Sequence, residues 1–280
     1  MSLIIPRGTT GASAAIQATE NSSVSSTDEV LANLTIPVVT IAVQQDISRQ
    51  SLERGTPGID TLVYLDLAGA YGVALDAQVL TGTGSSGQML GVLQTAGIGQ
   101  ATAFGAAATA ATFYSKVAGQ VSGIETTRYL APTAIAMHPR RWNWLVAQGD
   151  SQGRPLVVPN ANGPFNAFAS FDQPVDTPAS VPVGSLQGLP VLTDASIPTS
   201  VGTGPEDQVI VYRREDMLLW ENGDGMPREL SFEQTLGNQL TVKLVAYNYA
   251  AFTAGRYPTA VGVVGGNAGT IGYGLIAPTF

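Results

Sequence analysis

Apolar residues recur at three- and four-residue steps through residues 59–80. Leu62, Val63, Leu67, Ala70, Val73, Ala74, Ala77 and Leu80 form one continuous stripe. Asp60, Asp66, Asp76 and Gln78 break up the rest of the surface, Pro57 and Gly58 punctuate the start, and Gly82 and Gly84 stop the end. The spacing predicts a helix of about 20 residues, spanning roughly 30 Å against a mean helix of about 12 residues. Such a helix is long enough to be the spine of a flat domain. A Gly/Ser loop at residues 81–91 follows it.

Elsewhere the pattern changes often. Residues 1–34 are rich in Ser, Thr, Ala and Gly, and residues 20–33 have no helical period. They read either as a disordered tail or as an extended arm or long hairpin ordered on a neighbouring subunit. Residues 34–43, LTIPVVTIAV, form a β-branched strand in which Pro37 marks an edge position or a bulge. Residues 47–55 form a short helix capped by Ser48. A second long helix runs over residues 107–123, with Ala108, Ala111, Thr112, Val117, Val121 and Ile124 as its buried face. Residues 134–137 are a short strand. His138-Pro139 opens a third helix over 140–148, since proline suits the first helical turn, with Trp142, Leu145 and Val146 toward the core.

Residues 150–189 are loop-dominated, with a strand at 154–158, and 188–192 is a turn into a strand. Residues 207–220 read as two strands around the polar turn Arg213 to Asp216. In 229–253, Leu240, Val242, Leu244 and Ala246 alternate with Thr241, Lys243, Val245 and Tyr247, a period of two. The Gly-rich residues 257–280 read as a flexible extension or an arm packed on a neighbour. Helices and strands mix without βαβ alternation, so the fold class is α+β.

Composition sharpens this picture. Apolar residues make up 44% of the 280, ample for a core, but charged residues only 12%, about half the usual share. A surface this poor in charge is not built for a free monomer, and the simplest cover is copies of the same chain. The net charge is −8 and Lys116 and Lys243 are the only lysines. That argues against gripping nucleic acid through a basic face, though not against surrounding it. No cysteine is present, so thiolate and disulfide chemistry are excluded. The N-terminus has no signal-peptide pattern, and no apolar stretch reaches the length of a membrane span.

Candidate chemistry is sparse. His138 is the only histidine, sits before a proline at a helix start, and reads as structural. With no cysteine and no second histidine, a zinc site is not expected. None of the 21 acidic residues is marked as half of a hydrolytic carboxylate pair. Gly82-Thr83-Gly84-Ser85-Ser86-Gly87 suggests a phosphate cradle, but it lacks the lysine of a P-loop and follows a helix instead of a strand. It reads as a hinge. Trp142, Trp144 and Trp220 read as core or interface anchors. No catalytic, cofactor-binding or metal-binding residue is assigned.

Several segments, in order, resemble the major capsid proteins of tailed bacteriophages with the HK97-type fold. Residues 41–53, IAVQQDISRQSLE, resemble the family's strand and short acidic helix after its extended loop. Residues 75–84, LDAQVLTGTG, match its Asp-Ala, small apolar residues and Gly-x-Gly. Residues 87–93, GQMLGVL, match G-x-P-x-G-I-L with Met89 in place of proline. Ala136-Met137-His138-Pro139 with Trp142 to Leu145, then Asp150 to Leu156 (D-x-x-G-x-P-L), then Leu186 to Val191 (L-x-G-x-P-V), continue the series. Residues 207–211 and 228–240 resemble its closing strands.

The resemblance implies an α+β HK97-type fold with peripheral and axial domains, an extended loop and an N-terminal arm. Residues 1–36 would be arm and extended loop, 37–94 the peripheral domain with the spine helix, and 95–222 the axial domain. Residues 223–258 would be the returning strands of the peripheral domain, and 259–280 a C-terminal extension beyond the usual end. It implies a homo-oligomer of pentamers and hexamers, assembled in the host bacterial cytoplasm into an icosahedral virion shell around double-stranded DNA. Scaffolding, portal and decoration proteins would be its partners, with no membrane, cofactor or catalysis. Some relatives crosslink subunits through a lysine in the extended loop; residues 1–115 contain none, so that bond is not expected. The long N-terminal scaffolding segment of some relatives is missing, which leaves either a cleaved precursor or a separate scaffold. Two other readings stand beside this one: an encapsulin-like compartment holding protein, and a carboxylate-based hydrolase.

Overall fold

The computed structural model describes residues 1–21, 23–24, 26–55, 58–100, 109–149, 182–201, 205–223, 228–236, 240–265 and 275–276. In chain order, β1 (Ser2–Thr10) and β2 (Val30–Pro37) lead into β3 (Val39–Ser48) and the short helix α1 (Arg49–Arg54). The long helix α2 (Ile59–Thr81) is followed by β4 (Gly99–Gln100), α3 (Ala110–Arg128), β5 (Ala134–Met137) and α4 (Pro139–Ala147). Then come β6 (Gly184–Leu186), β7 (Leu189–Thr193), β8 (Glu206–Asp207), β9 (Val209–Tyr212) and β10 (Leu218–Glu221). The order closes with β11 (Arg228–Leu236), β12 (Thr241–Thr253), β13 (Val261–Val264) and β14 (Leu275–Ile276).

Strand β12 is the template of the first sheet. It has 13 residues, long enough to pair with β3 along one edge and with β11 and then β10 along the other. Its buried positions alternate as period two requires: Val242, Leu244, Ala246, Asn248 and Ala250. Helix α2 lies on that side. Val63 and Leu67 pack on Val242, Leu244 and Ala246, with Val43 and Ile47 alongside. The expected stripe is therefore shifted. Tyr71 completes the buried row at a four-residue step, whereas Leu62, Ala70 and Val73 face solvent. One sheet covers one side of a helix, and the apolar residues of α2 occupy more than one side. Leu240, expected in the alternating row, is exposed at φ +48° in the turn before β12.

The second sheet is mixed, with strand order β4-β13-β9-β5-β7-β6. Helices α3 and α4 cover one face, where Phe113, Val117, Trp142, Trp144 and Leu145 pack against Ile135, Met137, Val209 and Val211. On the other face, Ile210, Val261 and Val263 join Met89, Val92 and Phe252. Around β9 both faces are covered, so Val209, Ile210 and Val211 are all buried in succession, the pattern of a strand covered on two sides.

Three expectations are corrected and one is met. The run at 34–43 is two strands in different sheets: β2 ends at Pro37 and β3 begins at Val39. The two strands expected around Arg213 to Asp216 are present as β9 and β10. β9 lies in the second sheet and β10 in the first, so Arg213 to Asp216 crosses between sheets. The tail is no mere extension: β13 is an inner strand between β4 and β9, and all four of its residues are buried. Its Val-Gly-Val-Val sequence is apolar enough for that place, but the surrounding glycines mask the signal. In α3, Ala111 and Thr112 are exposed because the helix starts at Ala110, and Thr109 and Thr112 form a reciprocal cap. Ala108 and the expected strand at 154–158 lie outside the described residues.

The loop after α2 is a pinned reversal. Gly84 N donates to Met89 O at 2.8 Å, Gly91 N to Gly82 O at 2.8 Å, and Thr83 Oγ1 to Gln88 Oε1 at 2.9 Å. A Cβ on Gly91 would stand 2.7 Å from Gly82 N and 2.8 Å from Leu80 O, both backbone atoms that cannot swing away. Gly91→Ala is expected to cost on the order of 1–3 kcal/mol, as overpacking does, read as a lowered urea midpoint. An unchanged midpoint would show that the reversal is loose.

Candidate assembly surfaces

The polar groups inside this chain are arranged to hold elements together. Among the described residues no group of three His, Cys, Asp or Glu is placed to hold a metal. His138 caps α4: its Nδ1 accepts from Arg140 N at 3.1 Å. Burial, then the Arg140 charge, push its imidazolium pKa down, which keeps the acceptor nitrogen unprotonated. The dipeptide His138-Pro139 thus builds a helix start.

The adjacent arginines Arg140 and Arg141 share one carboxylate. Asp207 is fully buried and Arg141 is 1% exposed. Asp207 Oδ1 accepts from Arg141 Nε at 2.9 Å and Nη2 at 2.8 Å, while Oδ2 accepts from Arg140 Nε at 2.7 Å. Arg141 also stacks over Trp144, 5.1 Å from its centroid. Burial pulls the Arg141 pKa down and Asp207 counters it. This cluster locks α4 to β8 and, through Arg141 Nη2 and Leu275 O at 3.4 Å, to β14. Asp216 takes a bidentate pair from Arg128 at 3.0 and 3.1 Å, with Arg213 3.6 Å away. That second cluster ties α3 to the crossing between the sheets. The partner of Arg140 and Arg141 lies 67 and 66 residues away in the chain, and no local pattern points to it.

Tyr71 of α2 donates to Glu221 Oε1 of β10 at 2.8 Å. Burial, then Glu221, raise its pKa to about 12. Beside the far end of α2 lies a cavity of about 610 Å³, lined by Val73, Asp76, Val79, Asp194, Ser196 and Tyr212 among others. Burial, then the Asp194 charge, hold the Asp76 carboxyl above its ordinary value. Gln78, beside Asp76 in sequence, donates nothing here; its Oε1 accepts from Met89 N at 3.1 Å. Asp76 and Asp194 thus line one cavity, and Asp194 Oδ1 is already engaged by Ser196 N at 2.7 Å.

Several large apolar side chains are left exposed. The hairpin β1–β2 pairs Ser2 with Pro37 through Gly8 with Leu31 in antiparallel register. Of its side chains only Ile36 is buried. Ile4, Val30 and Leu31 are exposed. At its base a cavity of about 550 Å³ opens among Met1, Leu3, Val38, Trp220, Tyr249 and Ala251. Of the expected aromatic anchors, Trp142 and Trp144 are buried in the core and Trp220 borders this opening.

A sequence model described as the phage capsid family matches residues 2–222. Solved structures share the fold. The chain resembles a structure from Gordonia phage Cozz at 16% identity and TM-score 0.65, over 93% of this chain and 80% of that one. It resembles the capsid of an empty GTA particle computed with C5 symmetry at 16% identity and TM-score 0.68, over 94% and 84%. It resembles a structure from Microbacterium phage Oxtober96 at 13% identity and TM-score 0.62, over 99% and 86%. No curated protein sequence matches the chain.

Two measurements test the polar clusters. Asp207→Asn leaves Arg141 buried beside a neutral amide, and is expected to destabilise the fold by about 3–5 kcal/mol, read by chemical denaturation. A loss below about 1 kcal/mol would refute the locking role. For Asp76 the sign is reversed. Its raised pKa means the folded state holds the proton more tightly than the unfolded chain. The group therefore costs stability as pH rises through the carboxylate range, and the cost persists above it. Asp76→Asn is expected to raise Tm at pH 7, with the gain vanishing below about pH 3.9. A loss of Tm at pH 7 would contradict that sign.

Proposed function

The chain belongs to the phage capsid family, and from that premise we propose that copies of it assemble as pentamers and hexamers into an icosahedral shell around double-stranded DNA. Membership makes it a structural capsid protein of a virion-like particle, not an enzyme. The observation that carries the proposal is the hairpin β1–β2, in which Ile36 alone is buried among the described residues. An isolated two-stranded hairpin is marginal in water, and this one leaves Ile4 at 60% and Leu31 at 64% exposed. Laid across a neighbour it would bury that area at roughly 25 cal/mol per Å².

In this proposal residues 1–36 act as arm and extended loop. The sheet of β3, β10, β11 and β12 with α2 serves as the peripheral domain. The sheet of β4–β7, β9 and β13 serves as the axial domain around the symmetry axes, with β13 as one of its strands. The C5 symmetry named for the similar GTA capsid supports pentamers. A net charge of −8 suits a wall that encloses DNA without gripping it. Assembly would take place in the bacterial cytoplasm, with scaffolding, portal and decoration proteins as partners.

Electron microscopy of the purified protein, with nucleic-acid content measured, tests this. Closed shells holding DNA are expected. Shells holding only protein would favour an encapsulin-like compartment, and a soluble monomer with hydrolase activity would overturn the reading. Deleting residues 1–33 is expected to abolish shells while leaving a folded subunit with a cooperative melt. Normal shells from that deletion would remove the hairpin from the mechanism.

A further inference from the structure

The cavity beside the far end of α2 lies on the seam between α2 and the second sheet. Val79 and Leu80 come from α2, Leu192 and Ile210 from the second sheet, and Val92 and Met217 from the connecting segments. At about 610 Å³ it has the size of a site for a small organic molecule. These walls are apolar, so covering them with an apolar body is favourable. Its position makes it a joint as well as a space. Asp194, which lines it just after β7, is fixed to β5 by its N–H, which donates to Met137 O at 3.1 Å.

Two carboxylates interrupt the apolar walls. Asp76 enters from α2 and is exposed, while Asp194 is half-buried. Neither forms an ion pair among the described residues. Elsewhere the inward carboxylates Asp207 and Asp216 each meet arginines, but no lysine, arginine or histidine lines this cavity. The basic groups at the start of α4 are committed: His138 Nδ1 accepts from Arg140 N, and the Arg140 side chain pairs with Asp207. Tyr212, the other titratable lining group, has its pKa raised by burial and stays a neutral phenol. The two carboxylates therefore feel each other, and after burial the Asp194 charge is what holds the Asp76 carboxyl above its ordinary value. A divalent metal suits the place poorly. Among the described residues no third His, Cys, Asp or Glu joins them, and a calcium ion takes about six to eight oxygens. An organic ammonium suits it better. Its N–H groups can donate to both carboxylates, its charge removes their repulsion, and its body covers the walls.

We infer that this cavity is a binding site for a small organic cation, a primary amine on a short apolar body, with its ammonium between Asp76 and Asp194 and its body on Val79, Leu80, Leu192 and Ile210. The site is independent of the shell reading and adds a ligand to the subunit. Because Asp76 belongs to α2 and Asp194 is fixed to the second sheet, the bound amine ties the helix to that sheet. A ligand that binds only the folded chain also stabilises it. Charge rejects anionic molecules of the same shape, and the apolar walls reject small hydrophilic ammonium ions.

Calorimetric titration of the purified protein at neutral pH tests the site with phenethylamine, phenethyl alcohol, hydrocinnamate and methylamine. Phenethylamine is expected to bind at least about tenfold more tightly than the alcohol, which has the body without the charge. Methylamine, which has the charge without the body, is expected to be weaker by at least as much, and hydrocinnamate to show no binding. Asp76→Asn, at an exposed position, is expected to weaken phenethylamine at least about tenfold and to leave the alcohol unchanged. Val73→Trp places a large side chain at the cavity from a helix position that is 63% exposed, and is expected to weaken amine and alcohol alike. Each variant is first melted, and one that keeps a cooperative transition suffices, since the comparison of probes needs neither. Equal affinity for amine and alcohol overturns the cation site. Equal affinity of phenethylamine for the unaltered chain and the folded variants places the amine elsewhere and overturns it too, as does the absence of any binding.

Discussion

A long helix laid on a single sheet can bury only one of its sides. In this chain the first half of α2 meets β3 and β12 through Val63, Leu67 and Tyr71, its last turns join the core shared with the second sheet, and Leu62 and Leu65 stay exposed. That constraint shapes what surrounds it. Strand β12 must be long enough to underlie the helix and still hold three partner strands. The chain must leave α2 through a tight reversal, pinned at Gly82 and Gly91, so that Met89, Val92 and Leu93 drop into the core shared with the second sheet. The uncovered side keeps Leu62, Leu65 and Val73 exposed beside Asp66 and Asp76.

Inside the subunit, arginine carries the long-range polar links. Arg141 and Arg128 each meet a carboxylate through two nitrogens, a fork geometry that lysine cannot supply. Buried pairs of this kind add little net stability over an apolar alternative, and breaking one is costly. Their contribution here is geometric. Asp207 fixes α4 to strands far along the chain, and Asp216 fixes α3 to the crossing between the two sheets. Surface pairs such as Arg49 with Glu53, both well exposed, add little.

The two sheets divide the work. The second is braced on one face by α3 and α4 and packs its other face on the core shared with α2. The first has one covered face, one free face of α2 and a hairpin projecting from its edge strand side. Rigid anchoring and unsatisfied apolar area therefore sit in different parts of one chain, the combination that repeated self-association requires.

Local order was legible in the chain. The period of residues 59–80 foretold a helix, and α2 runs from Ile59 to Thr81. The strand at 134–137 and the proline-led helix after His138 stand where short-range chemistry put them. These features depend on neighbours a few residues apart, which a sequence displays directly. Which side of α2 is buried, whether Val261 to Val264 is tail or inner strand, and which carboxylate receives Arg141 depend on residues far along the chain. A period of 3.6 locates apolar residues around a helix, but only the sheet beneath selects Tyr71 over Leu62. The sequence by itself determined the helices, most strands and the absence of thiol chemistry. Tertiary structure decided the pairing of strands, the partners of the arginines and the apolar faces left over, because those follow from which distant surfaces meet.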